Sequence, residues 1–132
     1  MILLLQLMGV DMSNIYLCNP YCHPDPKVKE YRFKMANVMA AYLMTQGHTV
    51  FSPISHSVPI NRHLPDSCDT HEFWMKQDLP LVEWCDEVYI NALDGWTESK
   101  GVGIEYEYAK KLGKPIKTIE FQDKRIITLF NG

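Results

Sequence analysis

Two kinds of hydrophobic pattern alternate along the chain. Short runs enriched in β-branched and aromatic residues predict four β-strands, at Asn14–Cys18, His48–Ser52, Glu87–Asn91 and Pro115–Phe121. Between them, apolar residues at intervals of three and four predict long helices over 27–46 and 101–112. Gly47 and Gly113 follow these helices, where a residue of left-handed conformation commonly ends a helix.

The remaining segments are less regular. Three prolines predict that the polar stretch 53–68 lies outside regular structure. A capping box at Asp69–Glu72 predicts another helix, which Pro80 kinks or restarts, and the apolar run Arg125–Phe130 adds a candidate fifth strand. Strands that alternate with helices predict an α/β domain, with a mostly parallel sheet of four to five strands and helices on both faces.

Composition and charge narrow the range of partners. The chain is 46% hydrophobic and 22% charged, which is typical of a globular domain. We assign one domain to 12–132 and treat 1–11 as a tail, because Met12–Asn14 is a second candidate start just ahead of the first strand. The apolar run before it is too short to span a bilayer and lacks the basic start of a secretory signal. A formal charge of −3 argues against a long nucleic acid as partner, although one small phosphate is compatible with it.

The four cysteines, Cys18, Cys22, Cys68 and Cys85, form no CxxC pair. We interpret them as buried or idle thiols of a cytoplasmic protein. The alternative is a metal site that includes Cys18, Cys22 and His23.

Ligands of a parallel sheet bind beyond the carboxyl ends of its strands, so the loops 19–26, 53–69 and 92–101 are the expected site loops. His23 and His56 fall in two of these loops. Gly101 and Gly103 open the last predicted helix, where glycines let a ligand approach the backbone closely.

Glu105 is the most informative residue of that helix. Its apolar stripe is Val102, Tyr106, Ala109 and Leu112, and Glu105 shares the inward face of Val102 and Ala109. A carboxylate in a buried stripe needs a specific reason, because burial of an unpaired charge is costly, and one explanation is a functional site. The alternative is a hydrated first-turn glutamate that the helix dipole favours.

Three further candidates each have a structural alternative. Asp78 precedes Leu-Pro and is either a site residue or the N-cap of the segment after Pro80. Asp94 follows a predicted strand and is either a site residue or a turn residue beside Gly95. Tyr16 lies within a strand, where most tyrosines are part of the core.

Basic residues are concentrated at the start of the first long helix. Lys27, Lys29, Arg32 and Lys34 are expected to form a solvated helix face. Alternatively, one of them reaches a phosphate at the edge of the sheet.

Taken in order, these segments resemble the nucleoside 2-deoxyribosyltransferase-like superfamily. The resemblance covers nearly all of 14–120, and its most specific part is the glycine–glutamate pattern followed by Gly-Lys-Pro. The matching segments are Ile15–Pro20, Gly47–Pro53, Asp78 with Cys85–Val88, Asp94–Gly95, Gly101–Glu105 and Tyr108–Ile116.

The resemblance implies a Rossmann-like sheet and cleavage of an N-glycosidic bond, with transfer of a (deoxy)ribosyl group to another base or to water. It places the nucleophile at Glu105, the orienting tyrosine at Tyr16, and further site carboxylates at Asp78 and Asp94. It implies no metal or cofactor. The residues expected to contact substrate are Asn19, Pro20, Tyr21, His23, Arg32, His56, Trp96, Gly101 and Gly103.

Two alternatives remain beside a nucleoside-cleaving enzyme. One is an N-glycosidase acting on nucleoside 5′-monophosphates, and the other is a non-catalytic nucleotide-binding module. We favour the plain nucleoside, because the loop after the first strand holds no cluster of glycine or serine to cradle a phosphate. We also expect a homo-oligomer, because the apolar stretch ending at Phe130 has little chain left to cover it.

Overall fold

The computed structural model describes residues 12–130, so the predicted tail 1–11 lies outside the described residues. This part of the chain forms four strands, five α-helices and two short 3₁₀ turns (Asp66–Cys68 and Trp96–Glu98). The regular elements are β1 (Asn14–Cys18), α1 (Pro26–Thr45), β2 (Thr49–Phe51), α2 (Pro53–Asn61), α3 (His71–Trp84), β3 (Glu87–Asn91), α4 (Lys100–Lys111), β4 (Ile116–Ile119) and α5 (Lys124–Leu129).

The four strands form one sheet in the order β2-β1-β3-β4, and every pairing is parallel. The fold is therefore the predicted α/β, Rossmann-like single domain. The chain winds from β1 to β2 in one direction and from β3 to β4 in the other. The strand order thus reverses between β1 and β3, the point at which doubly wound sheets bind ligands.

Each face of the sheet has its own hydrophobic core. Because side chains alternate along a strand, Ile15 and Leu17 face α1, whereas Tyr16 and Cys18 face α3 and α4. This alternation places the predicted tyrosine on the same face as the helix that carries Glu105.

The helix ends follow the local sequence. Gly47 and Gly113 have φ values of +98° and +73°, which confirms their predicted role after α1 and α4. The Thr70 hydroxyl accepts a hydrogen bond from Phe73 N at the start of α3. The N-cap residue is therefore Thr70, one residue after Asp69, where the predicted capping box begins. No helix within 12–130 is both long and apolar enough to cross a bilayer.

Two predictions of secondary structure are wrong. Pro53–Asn61 is a helix rather than irregular chain, because Pro53 fits the first helical position and Val58 is buried. The candidate fifth strand is instead α5, where the Asp123 side chain accepts a hydrogen bond from Arg125 N and caps the helix.

Helix α3 continues through Pro80 without a restart. Proline lacks the N–H that would bond to the carbonyl four residues earlier. That carbonyl belongs to Lys76, an exposed residue, so water can satisfy it. Asp78 consequently lies inside a helix, and its interpretation as an N-cap is wrong.

Candidate functional site

Glu105 is the centre of a buried polar cluster. Only 4% of its surface is exposed, although it is a carboxylic acid. The Tyr16 hydroxyl donates a hydrogen bond to Glu105 Oε2, and the Cys18 thiol lies beside the same carboxyl group. Burial raises the pKa of Glu105 to about 8, while hydrogen bonding from Tyr16 and Cys18 opposes this increase. The alternative of a hydrated first-turn glutamate is therefore wrong.

Asp78 is the second buried carboxyl group on this face. It is 5% exposed, and its Oδ1 has no hydrogen-bond partner. Burial raises the pKa of Asp78 to about 6, and the charge of Asp78 in turn raises the pKa of Glu105. A buried carboxyl oxygen without a donor is rare in folded proteins, so this atom requires an explanation that packing does not supply.

A line of aromatic rings connects this cluster to the surface. The Tyr16 and Phe51 ring centroids are 5.7 Å apart, and the Phe51 and His56 centroids are 5.6 Å apart. His56 is exposed on α2. The structure thus brings the predicted His56 to the Glu105 side of the sheet, through a phenylalanine that was not predicted as a site residue.

Helix α4 presents its faces differently from the prediction. Val102 and Ala109 are buried as expected. Tyr106 and Leu112, which were assigned to the same stripe, are 37% and 40% exposed. The buried stripe of α4 is therefore narrow, and a large part of it is the carboxyl group of Glu105.

Arg32 and Asn19 lie on the opposite, α1 side of the sheet. Arg32 is 7% exposed, and its guanidinium donates to the carbonyls of Cys22 and Asp94 at 2.9 Å each. Asn19 accepts a hydrogen bond from Asn91 Nδ2 at 2.9 Å. The prediction of a solvated face is wrong for Arg32, because it fastens the loops after β1 and β3 together.

Asp94 lies on the side of Arg32. Its side chain is exposed, and its carbonyl accepts the hydrogen bond from Arg32. It lines the same cleft as Arg32, whereas Asp78 is the carboxyl group whose charge raises the pKa of Glu105.

The other predicted contact residues are more scattered. Pro20 is buried, Tyr21 is half-buried with Lys29 Nζ 5.4 Å from its ring centroid, and His23 is exposed. Trp96 packs against the core that contains Tyr16.

Close packing does not require glycine at either Gly101 or Gly103 of α4. A Cβ on Gly101 would lie 3.8 Å from His71 and Met75, an ordinary contact, and a Cβ on Gly103 would meet nothing within 4 Å. Their predicted role in ligand approach stays a prediction.

Gly95, in contrast, is required where it stands. Its φ is +85°, and a Cβ there would lie 2.6 Å from Arg32 Nη2. We expect Gly95→Ala to lower the free energy of unfolding by about 1–2 kcal/mol, because alanine disfavours this conformation and displaces Arg32. Gly103→Ala is the matched control, and we expect it to stabilise α4 by up to about 1 kcal/mol. Urea unfolding followed by circular dichroism measures both, and equal effects of the two substitutions would contradict this role of Gly95.

The predicted alternative of a metal site finds no support in the geometry. Cys18 is buried and Cys22 is exposed. Among residues 12–130, no group of three or more His, Cys, Asp or Glu side chains is arranged to hold a metal ion.

Comparison with known proteins places the chain in a family. No curated protein matches it. A family model described as "Domain of unknown function (DUF1937)" matches residues 13–121. The match spans all four strands and the helices that carry Asp78 and Glu105. The chain therefore belongs to the DUF1937 family.

Proposed function

We propose that the protein cleaves the N-glycosidic bond of a nucleoside through a covalent intermediate between Glu105 and C1′ of the sugar. One observation carries this proposal: two buried carboxyl groups interact electrostatically, one held by Tyr16 and the other with an oxygen that lacks a partner. Such a pair fits the chemistry that the resemblance to nucleoside 2-deoxyribosyltransferases implies.

The proposed reaction has two steps. The Glu105 carboxylate attacks C1′ through an oxocarbenium-like transition state, as in retaining glycosidases. The C1′–N bond breaks, its electron pair goes to the base nitrogen, and the protonated Asp78 supplies the proton to the departing base. In the second step the ionised Asp78 takes a proton from water or from a second base, which attacks C1′, and the bond between C1′ and Glu105 breaks, so that both carboxyl groups return to their starting forms. No metal or cofactor is needed.

The pKa values of the two carboxyl groups allow this division of labour only through a minor protonation form of the pair. Burial raises the pKa of Asp78 to about 6 and that of Glu105 to about 8. Because the two charges repel each other, the pair holds one proton in the range between these values. The reactive form, with ionised Glu105 and protonated Asp78, is the less populated arrangement of that proton, because the pKa of Glu105 is the higher of the two. A bell-shaped pH dependence of kcat/KM is the consequence.

The Tyr16 hydroxyl would orient the nucleophile. Its hydrogen bond stabilises the ionised form of Glu105 and lowers its pKa against the effect of burial. The rings of Phe51 and His56 lie on the solvent side of Tyr16, and they offer the flat surface on which a nucleobase would stack.

The position of Arg32 supports a plain nucleoside over a nucleoside 5′-monophosphate. Arg32 faces the α1 side of the sheet and already binds two backbone carbonyls, so it is poorly placed for a phosphate on a substrate at Glu105. A comparison of kcat/KM for one deoxynucleoside and its 5′-monophosphate tests this choice. A preference of about tenfold or more for the nucleotide would favour the alternative, since a charge-assisted phosphate contact contributes that much.

The test of the proposed activity is the release of free base from a panel of nucleosides and nucleotides, measured by chromatography. Adding a second base separates transfer from hydrolysis, because only a transferase then forms a new nucleoside. Binding of a nucleoside without any base release would favour the non-catalytic module. The alternative of a non-catalytic module rests on the burial of Glu105, because a buried carboxyl group is less accessible to a substrate.

Asp78→Asn is expected to lower kcat by about 100-fold, because asparagine cannot donate a proton to the departing base. The loss should be smaller for a substrate with an activated leaving group, which needs less protonation. Glu72→Gln changes an exposed carboxyl group of the same helix and is expected to leave kcat unchanged. An equal loss with both leaving groups would contradict the role of Asp78 as the acid.

We further propose a cytoplasmic homo-oligomer. All four cysteines are unpaired, which supports a reducing compartment. Leu129 of α5 is 79% exposed, and the family that the chain resembles often completes its site with residues of a neighbouring subunit. We expect light scattering to give at least twice the chain mass, and a fully active monomer would contradict this expectation.

A further inference from the structure

The cleft lined by Arg32 and Asp94 opens on the α1 side of the sheet, beyond the carboxyl ends of β3 and β4. Its volume is about 570 Å³, which lies within the range of small-molecule sites. Met35, Phe121 and Ile127 contribute apolar walls, and the buried side chains of Arg32 and Asn91 also line it. We call it the α1–α5 cleft. The alternation of side chains along the strands puts it on the other face of the sheet from Glu105.

Its two buried polar side chains keep unused hydrogen-bonding capacity. Arg32 is 7% exposed and donates to two carbonyls, although a guanidinium has five N–H groups. Asn91 is 1% exposed. Its Nδ2 donates to Asn19 Oδ1 and to Met35 O, whereas its Oδ1 accepts no hydrogen bond from residues 12–130. Neither residue has a fully buried side-chain atom without a partner, so this unused capacity is accessible from the cleft that both residues line, where a ligand would use it.

The electrostatics of the cleft favour an anion. Within the described part of the chain, no carboxylate forms a salt bridge with Arg32. Lys27 and Lys124 add two positive charges to the lining, and Asp94 and Glu120 add two negative ones. All four of these side chains are exposed and therefore well screened by solvent, whereas the buried charge of Arg32 is screened much less. The potential inside the cleft is thus set mainly by Arg32.

We propose that the α1–α5 cleft binds a small organic anion. Its anionic group pairs with Arg32, a hydroxyl or amine donates to Asn91 Oδ1, and its apolar body packs against Phe121 and Ile127. A carboxylate and a phosphate ester share this chemistry. The site is separate from the Glu105 cluster and does not depend on the proposed glycosidic activity.

Isothermal titration at low ionic strength tests the site with three probes. The probe para-hydroxybenzoate carries a carboxylate, a hydroxyl donor and an apolar ring, and phenyl phosphate replaces the carboxylate by a phosphate. The neutral analogue is para-hydroxybenzyl alcohol. We expect at least one anion to bind about tenfold or more tightly than the neutral analogue, as a charge-assisted contact with a buried guanidinium provides. The tighter of the two anions distinguishes a carboxylate site from a phosphate site.

Matched variants locate the binding. Ile127→Trp fills the cleft and should abolish binding of the preferred anion, whereas Thr128→Trp adds the same ring to an exposed position of the same helix that does not line the cleft and should not. Lys124→Ala should weaken binding about threefold, as the loss of an exposed charge does. Lys76→Ala makes the same change of charge on α3 and should have no effect.

These variants avoid Arg32, whose replacement would also release the two loops that it holds. Absence of binding by both anions overturns the proposal. Equal binding of the anions and the neutral analogue overturns it as well, and so does binding that survives Ile127→Trp. Base release from nucleosides by Ile127→Trp is a separate readout, so failure of the cleft and failure of the glycosidic activity are distinguishable.

Discussion

Replacing Glu105 with glutamine is expected to lower base release by about 10³-fold or more, as loss of a covalent nucleophile does in other enzymes. The fold should be preserved. Burial raises the pKa of Glu105 to about 8, so the side chain is mostly neutral near pH 7, and an amide closely resembles that neutral form. The glutamine carbonyl can also accept the hydrogen bond from Tyr16. Chromatography of the released base measures the effect.

The same helix provides the control. Glu107 lies two residues further along α4 and is exposed, so Glu107→Gln makes the same chemical change away from the cluster. It should keep the full rate. Near-normal turnover by Glu105→Gln, with an unchanged circular dichroism spectrum, would exclude the covalent mechanism. Trapping of a glycosyl adduct on Glu105 by mass spectrometry would support it directly.

Much of the Glu105 cluster could be predicted from the sequence, because the face on which each of its residues lies follows from local periodicity. A residue three after Val102 and four before Ala109 must share their side of a helix, and the structure buries all three. The face of Tyr16 follows from strand alternation in the same way. Alternation also puts Cys18, two residues on, on that face. The interpretation of Cys18 as a buried or idle thiol is correct about its burial, but nothing local indicated that a carboxyl group lies beside it.

Failures of prediction arose where tertiary packing decides the outcome. Proline-rich 53–61 forms a helix because Ser57 and Val58 are buried, which outweighs the weak propensity of the segment. Tyr106 has the correct spacing for the buried stripe of α4, yet 37% of it is exposed, since no element covers that side of the helix fully. Spacing fixes which residues share a face and does not fix how much of that face is covered.

Arg32 illustrates a role that no local pattern contains. In sequence it is one of several basic residues at the start of a helix. In the fold its partners are the carbonyls of Cys22 and Asp94, and the second of these is separated from it by more than sixty residues. Gly95 was recognisable as a turn glycine. Its close approach to Arg32 depends on the pairing of β1 with β3 and could only be seen in the structure.

The buried state of Glu105 also makes the stability of the fold depend on pH. Because burial raises its pKa from the ordinary 4.5 to about 8, the folded protein binds this proton more tightly than the unfolded chain. The stabilisation is complete below the ordinary value and is lost as the pH rises to the folded-state pKa. Asp78, whose pKa is raised to about 6, adds a similar loss at lower pH. Between about pH 6 and pH 8, the decrease in the free energy of unfolding with rising pH is therefore due mainly to Glu105.

In that range the free energy of unfolding of the parent protein is expected to fall by about 1.4 kcal/mol per pH unit because of Glu105. Glu105→Gln should not show this decrease. Urea unfolding at the two ends of the range, at fixed ionic strength and protein concentration, measures the difference between the variant and the parent. The change should amount to about 3 kcal/mol across the range, with the variant more stable than the parent at the alkaline end.

Glu107→Gln should follow the parent, because that exposed carboxyl group is not desolvated by the fold. Tyr16→Phe should extend the loss to higher pH, since the hydrogen bond that stabilises ionised Glu105 is gone. Parallel pH profiles for the parent and Glu105→Gln would show that Glu105 stays ionised when the protein folds, and the one-proton carboxyl pair would then have to be abandoned.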